Sequence, residues 1–155
     1  MQCAIYALSE LKKKLGVDKK SLCVLARYRG MLILLWDEKR SLWTLPGGVR
    51  AKGEEADKTV QSLLSAALGE ATFEVGELCG YGVTSEDGKE RCGVAYIADV
   101  RDWPDEWSSK ARAFARLPHS SQVADAALVQ GLYRWAGNFF DERLDLARLG
   151  EIGSF

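Results

Sequence analysis

The sequence has one histidine, three prolines, no Cys-x-x-Cys pair and no surplus of either charge, and each scarcity removes a class of function. Lys and Arg number 21 against 22 Asp and Glu. No global field would hold the chain on nucleic acid or an anionic membrane, although a local basic patch stays open. Cys3, Cys23, Cys79 and Cys92 are scattered and His119 is remote from all four, which argues against a structural zinc site. Three of the cysteines lie in apolar, strand-like surroundings, and no secretory segment precedes them. Reduced, buried thiols are therefore expected rather than two disulfides. The start lacks the apolar run of a signal peptide, and MLILLW at 31–36 is far too short to span a bilayer. A cytoplasmic chain without membrane contact is expected. Its 155 residues suit one domain with one substantial core.

Periodicity orders the rest. Ala4, Leu8, Leu11 and Leu15 recur at helical spacing, with Lys12, Lys13 and Lys14 on the solvated face and Gly16 as a stop, so the pattern predicts a helix within residues 1–20. Residues 22–28 alternate and residues 31–36 are apolar, with Arg29-Gly30 between them. This predicts a hairpin whose second strand is buried on both faces. Residues 42–45 predict a short strand that feeds Pro46-Gly47-Gly48. A helix over 55–68 places Ala56, Val60, Leu64, Ala67 and Leu68 on one side and closes at Gly69. Residues 73–84 and 91–100 predict strands around Asp87-Gly88, with Cys92, Val94, Tyr96, Ala98 and Val100 on one face. An irregular or partly helical connection then runs to Pro118. Ser120 and Ser121 are expected caps of a helix over 122–140, whose stripe is Ala124, Leu128, Leu132, Trp135 and Phe139. Residues 141–155 read as a last helical turn or as an arm packing on a neighbour.

The stretch 43–69, WTLPGGVRAKGEEADKTVQSLLSAALG, carries the chemistry. Glycines between a strand and a helix let backbone amides approach a bulky anion, and the N–H groups at such a turn favour phosphate oxygens. The order of elements here resembles the Nudix family, whose signature reads G-x5-E-x7-R-E-U-x-E-E-x-G-U, with U aliphatic. The first glycine falls on Gly48, the first glutamate on Glu54 and the late glycine on Gly69, in register without a gap. The resemblance in element order covers residues 22–140. It implies an α/β fold, the Nudix-type α/β/α sandwich with a mixed β-sheet between helices, and in the family the helix carboxylates hold magnesium or manganese across a diphosphate.

The departures bear on that chemistry. Ser62-Leu63 stand where the family has Arg-Glu, Ala66-Ala67 where it has paired glutamates, and Glu70 where it has an aliphatic residue. Phosphoanhydride hydrolysis needs oxygen charge neutralised and a water activated, which divalent cations do, and methyl and isobutyl groups supply no ligands. Lys58 would repel a cation. Glu70, Glu74, Glu77, Glu86 and Glu106 are the carboxylates from which a rebuilt site would have to be drawn.

Gly47, Gly48 and Arg50 are the candidate ligand contacts, Glu54 and Glu70 the residual metal ligands, and Glu54 and Glu106 the catalytic carboxylates. Each also has an ordinary role: a turn, an acid favoured at a helix start, a solvated charge. Arg27 and Arg91 could meet an anion, and Tyr28, Tyr81 or a tryptophan could stack a base, although most should be core or rim. Leu63 is either covered or part of a partner surface, His119 is a surface residue, and residues 112–118, RAFARLP, resemble a family stretch beside the substrate. The expected function is a catalytically weak or inactive relative with a degenerate signature that binds a nucleotide-like diphosphate or acts as a regulatory module. Two alternatives stand beside it: a hydrolase of ADP-ribose-type or triphosphate substrates with relocated ligands, and an interaction module whose Leu63, Ala66 and Ala67 face a partner or a second copy.

Overall fold

The alternating segments become strands of one mixed sheet in the computed structural model, which describes residues 2–10, 21–50, 53–84, 87–104 and 110–137. The strands are β1 (Gln2–Tyr6), β2 (Ser21–Tyr28), β3 (Met31–Asp37), β4 (Leu42–Thr44), β5 (Gly47–Val49), β6 (Thr72–Thr84), β7 (Glu90–Asp102) and β8 (Ala111–Phe114). Helix α1 (Ala56–Leu68) lies between β5 and β6 in sequence, and α2 (Ala126–Ala136) follows a 3-10 turn at Ser120–Gln122. The spatial order is β1-β6-β7-β2-β3-β4, with β5 also on β2 and β8 on β3. Strands β2 and β7 run parallel, and the other ladders are antiparallel.

Period two along β2 sorts the core. Leu22, Val24, Ala26 and Tyr28 face the α1 layer with Val60, Leu64 and Leu68, while Cys23 and Leu25 face the α2 layer with Leu128, Val129, Leu132 and Tyr133. The expected α/β/α sandwich is present. In β3, Leu32 and Leu34 go to one layer and Ile33 to the other, all fully buried, as its continuous apolar run predicts. Burying each such side chain contributes about 1.5–3 kcal/mol.

One feature of the ladders positions the site. Strands β2 and β3 pair only at Arg27↔Leu32 and Tyr28↔Met31. Further from that turn β2 takes β5 as its neighbour, from Ser21↔Val49 to Cys23↔Gly47, and β3 takes β4 and β8. The hairpin therefore splays, and a cleft opens between its arms.

Three sequence expectations are corrected. Residues 2–6 form β1 on β6 rather than the start of a helix. Cys3 and Ile5 pack into the α2 layer and Tyr6 into the α1 layer, a period of two that the helical stripe from Ala4 concealed. Residues 8–10 are helical, and Leu11 and Leu15 lie outside the described residues. The connection before Pro118 contains β8, which extends β3 because Ala111 and Phe114 alternate between layers. Helix α2 starts at Ala126, after Asp125 at φ 52°, instead of at a serine cap, and it closes at Gly137. Residues 138–155 lie outside the described residues.

Candidate functional site

The Pro-Gly-Gly turn is built into the sheet. A Cβ on Gly47 would lie 2.7 Å from the Leu22 carbonyl oxygen, so glycine is what lets β5 lie on β2, with or without a ligand. The other face of the turn meets α1. A Cβ on Gly48 would stand 3.0 Å from Leu63 Cδ2, which places the Leu63 side chain, half-buried, directly over the glycine. Helix α1 closes as expected, with Gly69 at φ 70° and its N–H donating to the Ser65 carbonyl at 2.9 Å.

The cleft left by the splayed hairpin holds a cavity of about 440 Å³. Gly47 and Gly48 form part of its wall, Leu22, Leu45 and Leu128 part of its apolar lining, and Asp37, Arg40, Arg91 and Asp125 its charges. These four charges make two pairs. Arg40 Nε donates to Asp37 Oδ2 at 3.1 Å, and Asp37 Oδ1 accepts from the Lys39 and Arg40 amides at 3.1 and 3.3 Å. Desolvation raises the Asp37 pKa, and these hydrogen bonds outweigh it, so the carboxyl stays below its ordinary range. Arg91 reaches Asp125 Oδ2 at 3.5 Å.

Tyr81 and Cys23 close the cavity beside them. Burial raises the Tyr81 phenol, which hydrogen-bonds to Cys23, and burial with the neighbouring Cys79 pushes the Cys23 thiol up to about 12. No disulfide joins the four cysteines. Cys23 and Cys79 both pair with Ala95 from opposite sides. That separation is two strand spacings, about 9–10 Å, and is beyond the roughly 7 Å that a disulfide spans. Above pH 9 the unfolded chain ionises Cys23 while the folded chain keeps the proton until about 12, so stability falls as pH rises through this window. The expected slope from Cys23 approaches about 1.4 kcal/mol per pH unit. Urea melts at pH 9 and 10 should lose that part of the slope in Cys23→Ala.

The remaining predicted residues are dispersed. Arg50 is absent from the cavity lining. Its charge acts instead on Tyr96, whose phenol is pushed up to about 12 by burial, by Glu77 and by Asp57, its hydrogen-bond partner. Glu54 accepts the Thr59 hydroxyl at 3.0 Å at the start of α1. Glu70 is exposed just past Gly69, Glu74 reaches Arg101 at 3.8 Å, and Glu86 and Glu106 lie outside the described residues. Arg27 pairs with Asp99 at 3.0 Å, Tyr28 packs edge-on against Trp103, and Trp43 meets both Trp36 and Phe114 edge-on. His119 is exposed, and its Nδ1 accepts the Ser121 amide at 3.0 Å.

The side chains do not fit a divalent ion on α1. Ser62 and Ala66 are exposed, Leu63 and Ala67 half-buried, and none offers a carboxylate. Among the described residues no three His, Cys, Asp or Glu side chains come together as a metal site. Arg40, Asp37 and Asp125 were not predicted. Asp37 and Arg40 carry the local signal of an acid and a base three residues apart, whereas Asp125 meets Arg91 only through the tertiary fold.

No family model matches the chain, and no curated protein does. Solved structures do. The chain is similar to a pyrophosphohydrolase from Bacillus subtilis, BsRppH, at 15% identity and TM-score 0.67, over 90% of this chain and 93% of that one. It is similar to a Nudix hydrolase from Nitrosomonas europaea at 14% identity and TM-score 0.57, over 83% and 97%. A C. elegans Ap4A hydrolase matches at 20% identity and TM-score 0.54, over 79% and 98%. At such identities the likeness establishes a Nudix fold. No helix among the described residues is long and apolar enough to cross a membrane.

Proposed function

We propose that this chain binds a nucleotide-like, diphosphate-bearing ligand in the cleft beside Gly47 and Gly48 without hydrolysing it, as a binding or regulatory module. The carrying observation is the Leu63 side chain over Gly48, where the signature places a carboxylate, next to a cavity that remains open. An isobutyl group at that point supplies no metal ligand, so the activated water and the charge neutralisation of a metal-assisted hydrolysis have no support from α1. The cavity is of ligand size, and its apolar lining with a few charged groups suits a base or ribose at one end and phosphates at the other. The fold supports this reading by analogy with neighbours such as the Ap4A hydrolase.

The test is a calorimetric titration with ADP-ribose and with a nucleoside triphosphate, with and without magnesium or manganese, alongside an assay of released phosphate and monophosphate. Binding without turnover is expected. Product release dependent on metal would overturn the proposal in favour of a hydrolase with relocated ligands.

A further inference from the structure

We infer that Arg91 and Arg40 anchor the phosphates in the cleft, and that Asp125 and Asp37 are internal stand-ins which the ligand displaces, so that a diphosphate is held without a protein-bound metal. The assignment rests on the reading of the cleft as a diphosphate site. Arg40 enters from the turn after β3 and Arg91 from β7, and both line the same cavity. In its ion pair each guanidinium meets one carboxylate oxygen, at 3.1 and 3.5 Å, rather than two in a fork. The arginine side chains are 53% and 59% exposed, so neither pair is strong enough to hold against a better acceptor. A phosphate is that acceptor: it offers several oxygens in the geometry that suits a guanidinium, and two linked phosphates can occupy both arginines.

The four charges sum to zero, which gives the site a signature. An incoming dianion must push aside two carboxylates, so the aspartates oppose binding while the arginines promote it. Passive surface arginines would show no such opposition. Asp125 is the easier of the two to displace. It sits in the left-handed region at φ 52° and ψ 47°, and its side chain makes no capping bond to α2, so leaving Arg91 costs the helix no cap. Asp37 is tied down by two backbone amides as well as by Arg40. Arg91 is therefore the primary anchor and Arg40 the secondary one.

Titration of the full chain with inorganic pyrophosphate and with ADP-ribose, in EDTA and then in magnesium, tests the assignment. The parent chain is expected to bind in EDTA. Losing a charge-assisted anchor, Arg91→Ala should weaken binding by about tenfold or more, and Arg40→Ala by less. Asp125→Asn keeps the size of the side chain, and asparagine accepts the left-handed backbone. It should tighten pyrophosphate binding several-fold, a gain that a disturbed fold would not produce. If the parent binds but both alanine variants bind equally well, or Asp125→Asn weakens binding, or binding needs magnesium, the anchor assignment is wrong and the cleft reading stands. If the parent binds neither probe in either buffer, the diphosphate reading itself fails and takes the assignment with it.

Discussion

A variant carrying Leu63→Glu, Ala66→Glu and Ala67→Glu is expected to bind manganese at least about 100-fold more tightly than the parent chain, a difference of roughly 2.7 kcal/mol. Positions 63, 66 and 67 are related by three and four residues on α1, so the three carboxylates would share one helical face. Carboxylate oxygens are the ligands that hard divalent cations require, and the parent residues offer none. The face is accessible, since Ala66 is exposed and Leu63 and Ala67 are half-buried. Replacing Leu63 also removes the methyl that stands over Gly48. Like-charge repulsion between the new glutamates lowers the stability of the metal-free variant, so it should melt below the parent without manganese and recover when the ion is added. Calorimetry with manganese and thermal melts with and without it measure both effects. A folded variant with unchanged affinity would show that α1 does not present these positions as the signature requires.

Gly93→Ala is expected to destabilise the chain by about 3 kcal/mol, a large share of the 5–15 kcal/mol that holds a typical domain together. Gly93 pairs with Ser21 on one side and with Tyr81 on the other, so β7 is held by both neighbours at this point. An added Cβ would stand 2.5 Å from Tyr81 Oη and 2.6 Å from its Cζ, and would press on the Ser21 carbonyl. Tyr81 is itself buried and hydrogen-bonded to Cys23, so the ring has little room to yield. In a Tyr81→Ala background the cost of Gly93→Ala should shrink without vanishing, because the Ser21 carbonyl remains. Urea denaturation of the four chains of this cycle gives the coupling directly. A cost below about 1 kcal/mol for Gly93→Ala alone would mean that the strands part more easily than the ladder implies.

Much of the fold was legible because local pattern and tertiary role agree in the middle of the chain. Val60, Leu64 and Leu68 announce a sheet-facing helix and are buried as one, and the apolar run of β3 announces a strand covered on both faces. Legibility failed where two periods overlap. Ala4 and Leu8 fit a helix, but Cys3 and Ile5 alternate with Ala4 and Tyr6, and pairing with β6 decided for the strand. The short β8 was hidden by length, since its four residues carry too little pattern to outweigh the irregular sequence around them. Its pairing with β3 supplies what local sequence lacked.

The site divides in the same way. Sequence alone offered the address by resemblance, with Gly48, Glu54 and Gly69 in register, and it determined that Leu63, Ala66 and Ala67 supply no metal ligand, because a side chain without oxygen cannot ligate a hard cation in any conformation. Composition and spacing are properties of the chain itself, and folding cannot change them. Only the tertiary structure decided where a ligand has room. The splaying of β2 from β3 opened the cavity, and the fold brought Arg91 to Asp125 across 34 positions of sequence. Those outcomes depend on strand pairing between distant segments, and no local pattern encodes which distant partner will arrive.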